Sequence, residues 1–132
     1  ARQLRDIYPW PILYFAAEIT NLDLTMFGRF KKPAPSEISI IGAWMKNGGS
    51  IEANSVCNRI EYLVSGYLVK VGISKEYGNW MSLYQDPNDL RLWEHTYPQG
   101  EMHGGGPPAL FYICLESAKE KFDINEYFVE NL

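Results

Sequence analysis

Residues 80–97, WMSLYQDPNDLRLWEHTY, contain two segments of strand length on either side of a tight-turn sequence. Trp80–Gln85 and Arg91–Tyr97 flank Asp86–Asp89 (DPND), which has Asp at the first turn position and Pro at the second. An Asp side chain accepts hydrogen bonds from the backbone of its own turn, and Pro fixes the φ angle that the second position needs. This stretch therefore predicts an antiparallel β-hairpin.

The second strand of this hairpin lacks a cleanly apolar face. Side chains alternate between the two faces of a strand. One face carries Arg91, Trp93, His95 and Tyr97, and the other carries Leu92, Glu94 and Thr96. A purely structural strand usually has one apolar face, so this mixture favours a role in recognition.

A helical pattern precedes the hairpin. Apolar residues recur at helical spacing, and they are Val56, Ile60, Leu63, Val64 and Tyr67. Asn54 or Ser55 can cap the helix start. We expect one main helix over about residues 54–71, ending near Gly72.

Further strands complete an α+β fold. Glu37–Met45 (EISIIGAWM) is typical of a strand that ends at Asn47-Gly48-Gly49, and the apolar run Ala109–Leu115 suits the centre of a sheet. Glu116–Phe122 predicts a short helical turn, and Asp123–Leu132 either a terminal strand or a docking tail. We expect an antiparallel sheet of about four or five strands packed on the main helix.

The chain of 132 residues is about the length of one domain. Lys31–Ser36 (KKPAPS) is charged and rich in Pro, which is typical of a connector. We expect a single domain over residues 1–132, in which an apolar N-terminal arm (1–36) packs on a core formed by residues 37–122.

The charge is unevenly distributed along the chain. The net charge is −4, with +3 over residues 1–75 and −7 over residues 76–132. A negative chain is not expected to bind nucleic acid directly, whereas an acidic half suits a basic protein partner. Only two cysteines occur, which favours a reduced, cytoplasmic setting. The apolar stretch Tyr8–Ile19 is too short to span a bilayer, so we expect no membrane association.

The run His103-Gly104-Gly105-Gly106 suggests three kinds of chemistry. A hydrolase oxyanion hole would also need a Ser on a G-x-S-x-G elbow, which the sequence lacks. A phosphate loop would need Lys and Ser/Thr leading into a helix, but Pro107-Pro108 follows. A zinc site could use His95 and His103 with neighbouring carboxylates, but their spacing matches no compact ligand motif. We therefore expect no cofactor and no catalytic residue.

The segment Pro98–Pro108 demands an unusual backbone. Its three consecutive glycines permit positive φ or the close approach of another chain, and Pro107-Pro108 fix an extended exit. One interpretation is a connector with a tight crossing. The other is a protein-binding loop, because binding residues concentrate on loops held by rigid scaffolds.

Several stretches of this sequence resemble the immunity protein 27 family of bacterial polymorphic toxin systems. The resemblance covers Glu37–Phe122 and rests on Arg59–Leu63 (RIEYL), Trp80 with Leu83-Tyr84, Asp86-Pro87, and above all Trp93–Pro108 (WEHTYPQGEMHGGGPP). Two positions depart from the family pattern. Leu90 stands where Gly is favoured after the Asp-Pro turn, and His95 stands where an apolar residue is favoured.

The resemblance implies a small cytoplasmic α+β protein that protects its producer by binding and neutralising a cognate toxin, often a nuclease. Such a toxin is commonly basic, which agrees with the acidic C-terminal half. The expected contact residues are Trp93, His95, Tyr97, Glu101, Met102 and His103.

Three alternatives remain open at this stage, and one of them is a regulatory or effector-binding module without a toxin. The residues shared by the family can maintain the scaffold, which would place the toxin contacts on the helix, the hairpin turn or the arm. The third alternative is a small enzyme or metal-binding domain that uses Glu94, Glu101 and His103.

Overall fold

The structure, a computed structural model, describes residues 31–99 and 106–130. It confirms the α+β class. The elements in chain order are β1 (Ser39–Ile41), β2 (Trp44–Asn47), β3 (Ser50–Ala53), α1 (Ser55–Gly66), β4 (Val69–Ser74), β5 (Gly78–Gln85), β6 (Leu92–Thr96), β7 (Ala109–Ile113), α2 (Leu115–Lys121) and β8 (Phe122–Ile124). Most of the predicted N-terminal arm, residues 1–30, lies outside the described residues.

Over the described residues, the main sheet has six strands in the order β1-β7-β6-β5-β4-β8, and every pairing in it is antiparallel. A separate two-stranded sheet pairs β2 with β3. The main sheet is therefore larger than the four or five strands expected. The C-terminal stretch contributes an edge strand, β8, to it.

The helix prediction was correct at its start and wrong at its end. Asn54 caps α1, since its side chain accepts a hydrogen bond from the backbone N–H of Cys57. The helix ends at Gly66 rather than near residue 71. The backbone N–H groups of Tyr67 and Leu68 both bond to the carbonyl of Leu63 and close the last turn. Val69–Val71, which the sequence pattern had assigned to the helix, form the first half of β4.

The predicted strand Glu37–Met45 is divided into two strands that join different sheets. The division occurs at Gly42, whose backbone N–H donates to the carbonyl of Pro108 at 2.9 Å. A Cβ at Gly42 would lie only 2.6 Å from the Cys57 sulfur. Close packing at this point redirects the chain from β1 into β2.

The predicted hairpin is present as β5 and β6, with Gln85 paired with Leu92. Asp86 is buried, and its Oδ1 accepts hydrogen bonds from the Asn88 N–H at 2.8 Å and from the Tyr67 hydroxyl at 2.6 Å. The turn therefore binds the end of α1 as well as reversing the chain.

Leu90, in this turn, has a φ of 65°, a left-handed conformation that costs a non-glycine residue about 1–2 kcal/mol. This is the position where the family resemblance favours Gly. We expect Leu90→Gly to raise the free energy of unfolding by about 1 kcal/mol, because glycine adopts this φ without a steric penalty. Urea denaturation measures the change. Leu90→Ala retains the strained backbone and should give no gain, and a loss of stability in Leu90→Gly would contradict the prediction.

Helices and loops cover both faces of the main sheet. On one face, Ile60 and Leu63 of α1 pack against Trp93, as part of a core that also contains Ile40, Tyr67, Leu68 and Leu110. On the other face, Ala118 of α2 packs in a core with Val71, Leu83, Leu92, Ile113 and Phe122. This two-sided coverage explains why β6 lacks a single apolar face.

Two arginines fasten the connector to the main sheet and α1. Arg59 forms a two-pronged ion pair with Glu37, at 2.7 and 2.9 Å, and also donates to the carbonyl of Lys31. Arg91 donates to the carbonyls of Ala34 and Glu37. The hydrogen bonds from Arg59 lower the pKa of Glu37 to about 2. The ion pair therefore stabilises the fold fully above the usual pKa of 4.5 and loses its effect as the pH falls towards 2.

Candidate functional site

The main sheet has two ends with different structures. At one end, which we call the turn end, Asp86–Asp89 joins β5 to β6. At the other, the loop end, β6 continues through Tyr97 into the segment 98–108, which returns to β7. β5 also begins at the loop end, because it is antiparallel to β6.

A narrow neck closes the 98–108 loop at its base. Thr96 pairs with Ala109, and beyond this pair the chain passes through Gln99 and Gly106. Gly106 has a φ of 74°, and a Cβ there would lie 2.3 Å from the carbonyl oxygen of Gln99. The loop therefore starts and ends in backbone contact, which only glycine permits. Glu101, Met102 and His103, three of the expected contact residues, lie outside the described residues.

His95 and Tyr97 lie together at the loop end. Their ring centroids are 5.3 Å apart, and the ring centroid of Tyr84 lies 5.9 Å from that of His95. We call Tyr84, His95 and Tyr97 the aromatic patch. Tyr97 is 36% exposed, whereas Tyr84 and His95 are half-buried. Rings that offer both an apolar face and a polar edge are enriched at protein interfaces.

His95 is expected to be uncharged at neutral pH. Burial lowers its pKa below the usual 6.5, and the positive charge of Lys70 acts in the same direction. Lys70 pairs with Tyr84 across β4 and β5, which places it beside the aromatic patch. A neutral imidazole has one donor and one acceptor nitrogen, so His95 is suited to hydrogen bonding rather than to an ion pair.

Trp93 is placed differently from His95 and Tyr97. Its side chain is 0% exposed and packs in the core beneath α1. The Arg91 guanidinium stacks over its ring at 4.9 Å, and the Tyr112 ring meets it edge-on at 6.5 Å. Trp93 therefore supports the surface from within. Its buried indole Nε1 has no hydrogen-bond partner among residues 31–99 and 106–130.

The sequence interpretation missed three residues around the aromatic patch. Trp80 is 72% exposed and lies two residues before Ser82, which pairs with His95. Lys70 and Ile73 are exposed on β4. The assignment of residues up to 71 to the helix concealed the strand alternation that would have placed Lys70 and Ile73 beside β5.

The residues of the enzymatic and metal-binding alternative are separated in the structure. Glu94 and His95 point to opposite faces of β6, and the buried Glu94 carboxylate accepts a hydrogen bond from Lys121 of α2. Glu101 and His103 lie outside the described residues. Over residues 31–99 and 106–130, no group of three or more His, Cys, Asp and Glu side chains is placed to hold a metal ion. In the same part of the chain, neither helix has the length and apolar character needed to cross a membrane.

Comparison with known proteins agrees with the resemblance seen in the sequence. The family model described as immunity protein 27 matches residues 46–114, just over half of the chain. No curated protein and no solved structure matches. The matched region runs from β2 to the end of β7 and includes the aromatic patch and the whole 98–108 loop. The chain therefore belongs to the immunity protein 27 family.

Proposed function

We propose that this protein binds a cognate toxin and neutralises it in the cytoplasm of the producing cell, without catalysing a reaction. Membership of an immunity protein family supports a toxin as the partner. The observation that carries the proposal is the exposed aromatic surface at the loop end. α1 packs over β1 and β7, and it leaves Trp80, Tyr97 and Ile73 exposed beside it. Exposed apolar clusters of this kind mark protein interaction sites.

The proposed contact surface consists of His95 and Tyr97 together with Glu101, Met102 and His103 of the adjoining loop. Trp93 holds this surface in place from the core. Binding energy usually concentrates in a few aromatic residues at the centre of an interface, surrounded by residues that exclude water. Tyr97 suits this central role, because it is partly exposed and its ring is fixed against His95.

The distribution of charge supports a basic toxin. Three carboxylates of the acidic C-terminal half are engaged internally, since Asp86, Asp89 and Glu94 bond to Tyr67, Arg91 and Lys121. The remaining acidic side chains among the described residues of that half are exposed, and they are Glu76, Glu116, Glu120, Asp123, Glu126 and Glu130. Their field would attract a basic domain and speed its association. A basic nuclease domain is the class of toxin that we propose.

Binding to the protein encoded beside this one tests the proposal. We expect the double variant His95→Ala/Tyr97→Ala to bind the toxin at least tenfold more weakly, which corresponds to about 1.4 kcal/mol. Tyr127→Ala is the matched control, since Tyr127 is 40% exposed against 36% for Tyr97 but lies at the turn end. Isothermal titration calorimetry measures the affinities, and survival on co-expression measures protection. Equal affinity for the wild type and the double variant would refute the contact surface, and absence of binding by the wild type would refute the function.

A further inference from the structure

The β2–β3 hairpin stands apart from the main sheet. Its register pairs Trp44 with Ala53 and Asn47 with Ser50, and Gly48-Gly49 forms the two-residue turn. Gly48 has a φ of 65°, which suits the turn types that match the twist of a hairpin. Met45 is 47% exposed and Ile51 is 69% exposed. A two-stranded sheet is only marginally stable alone.

The base of this hairpin is held firmly. The backbone N–H of Asn54 donates to the carbonyl of Ala43 at 3.0 Å. The Asn54 side chain accepts hydrogen bonds from the N–H groups of Ala43 and Cys57, at 3.3 and 3.0 Å. The residue that caps α1 therefore also anchors the hairpin, which projects from a fixed base.

The outer edges of the hairpin offer unpaired backbone groups. Hydrogen-bonded and non-hydrogen-bonded pairs alternate along an antiparallel ladder. The hydrogen bond from Asn54 to Ala43 makes these two residues a hydrogen-bonded pair. Three positions further along the ladder, Lys46 and Ile51 therefore form a non-hydrogen-bonded pair, and their backbone N–H and C=O groups point outwards. Within the described part of the chain, these outward groups have no backbone partner. Such edges are templates for the addition of another strand.

The hairpin is continuous with the proposed contact surface. The Gly42 N–H donates to the carbonyl of Pro108, and Pro108 is the last residue of the 98–108 loop. The hairpin base and the loop neck are thus joined by a backbone hydrogen bond at the loop end. A partner bound at the loop neck would therefore lie next to the base of the hairpin.

We propose that an extended segment of the toxin adds to an outer edge of the β2–β3 hairpin as a third strand. This inference rests on the proposed function and specifies how part of the partner is held. Main-chain hydrogen bonds to Lys46 or Ile51 supply the attachment, and the exposed apolar side chain of the strand at that edge, Met45 on β2 or Ile51 on β3, lies beside the added strand. The third strand completes a sheet that is too small to be stable alone.

Proline substitution tests this attachment, because proline removes an N–H but is tolerated on an edge whose N–H faces solvent. Lys46→Pro tests one edge and Ile51→Pro the other. We expect one of them to weaken toxin binding at least tenfold. Lys46→Ala and Ile51→Ala keep the N–H, and the alanine variant at the sensitive position should stay within threefold of the wild type. Thermal unfolding of each free variant verifies that the fold is retained.

The outcomes separate this inference from the proposed function. Unchanged binding by both proline variants overturns strand addition while leaving toxin binding intact. An equal loss of toxin affinity in the alanine and proline variants also overturns it, because the side chain would then be responsible.

Amide hydrogen exchange on the wild type gives an independent readout. Toxin binding should protect the amide of Lys46 or Ile51, and unprotected amides at both positions refute the proposal. A dimer of the free protein, detected by light scattering and abolished by either proline, assigns the edge to a second copy and refutes the toxin as its occupant.

Discussion

Trp93→Ala should lower the free energy of unfolding by about 3–5 kcal/mol, as expected when a fully buried aromatic side chain is truncated to a methyl group. The Trp93 side chain lies between the core residues of α1 and the stacked guanidinium of Arg91. Its loss would open a cavity beneath α1 and remove the surface on which Arg91 rests. Arg91 also holds the connector through Ala34 and Glu37, so the damage should extend to that segment.

Trp93→Phe should cost far less, about 1 kcal/mol. Phenylalanine keeps most of the apolar packing. It also removes the buried indole N–H, which has no hydrogen-bond partner among the described residues and carries a desolvation cost of about 1–3 kcal/mol. Guanidinium denaturation of both variants measures the difference. Trp93→Phe should also bind the toxin with wild-type affinity, because a buried residue does not contact the partner. A stable Trp93→Phe protein that has lost binding would show that Trp93 is a contact residue after all.

Gly106→Ala should lower the free energy of unfolding by at least about 2 kcal/mol. A left-handed φ alone costs a non-glycine residue about 1–2 kcal/mol, and the new Cβ would also lie 2.3 Å from the carbonyl oxygen of Gln99. That oxygen belongs to the backbone, so it cannot rotate away as a flexible side chain could. We expect the neck of the 98–108 loop to open and toxin binding to weaken with it.

Gly48→Ala is the matched control for Gly106→Ala. Gly48 also has a positive φ, 65°, but a Cβ there would meet no atom of the described residues within 4 Å. Its loss of stability should therefore reflect the backbone conformation alone and stay near 1 kcal/mol. Thermal and chemical unfolding of the two variants isolate the contribution of the close contact at the neck. Equal losses of stability in the two variants would mean that the backbone at the neck shifts to accept the new Cβ without a cost in free energy.

The fold was predictable where local chemistry decides it. The turn Asp86–Asp89 contains its own hydrogen-bonding groups, and Asn54 caps the helix within its own sequence. The end of α1 was not predictable from periodicity, because Tyr67 continues the apolar spacing although it serves as the helix cap. The position of β4 between β5 and β8 depends on pairing with residues distant in sequence, which periodicity does not encode.

The candidate site was predictable in part for a similar reason. Alternation along β6 correctly placed His95 on the same face as Trp93 and Tyr97. The alternation of side chains does not indicate which element packs over a face of the strand. In the structure, α1 covers Trp93 but leaves Tyr97 exposed. Which part of a face remains open depends on the path of a helix across the sheet, so only the structure separates supporting residues from surface residues.

The difference between the two ends of the sheet also affects how the sequence of such a protein can evolve. The side-chain bonds that tie separate elements together include Tyr67 to Asp86, Arg91 to the connector, and the Gln85 amide to the backbone of Val129. These three sets of bonds lie at the turn end, away from Tyr97 and the neck of the 98–108 loop. Substitutions at the loop end therefore leave these bonds intact. A lineage facing a new toxin can exchange the exposed side chains there, such as Trp80 and Tyr97, one at a time, and each intermediate retains a folded scaffold on which selection can act.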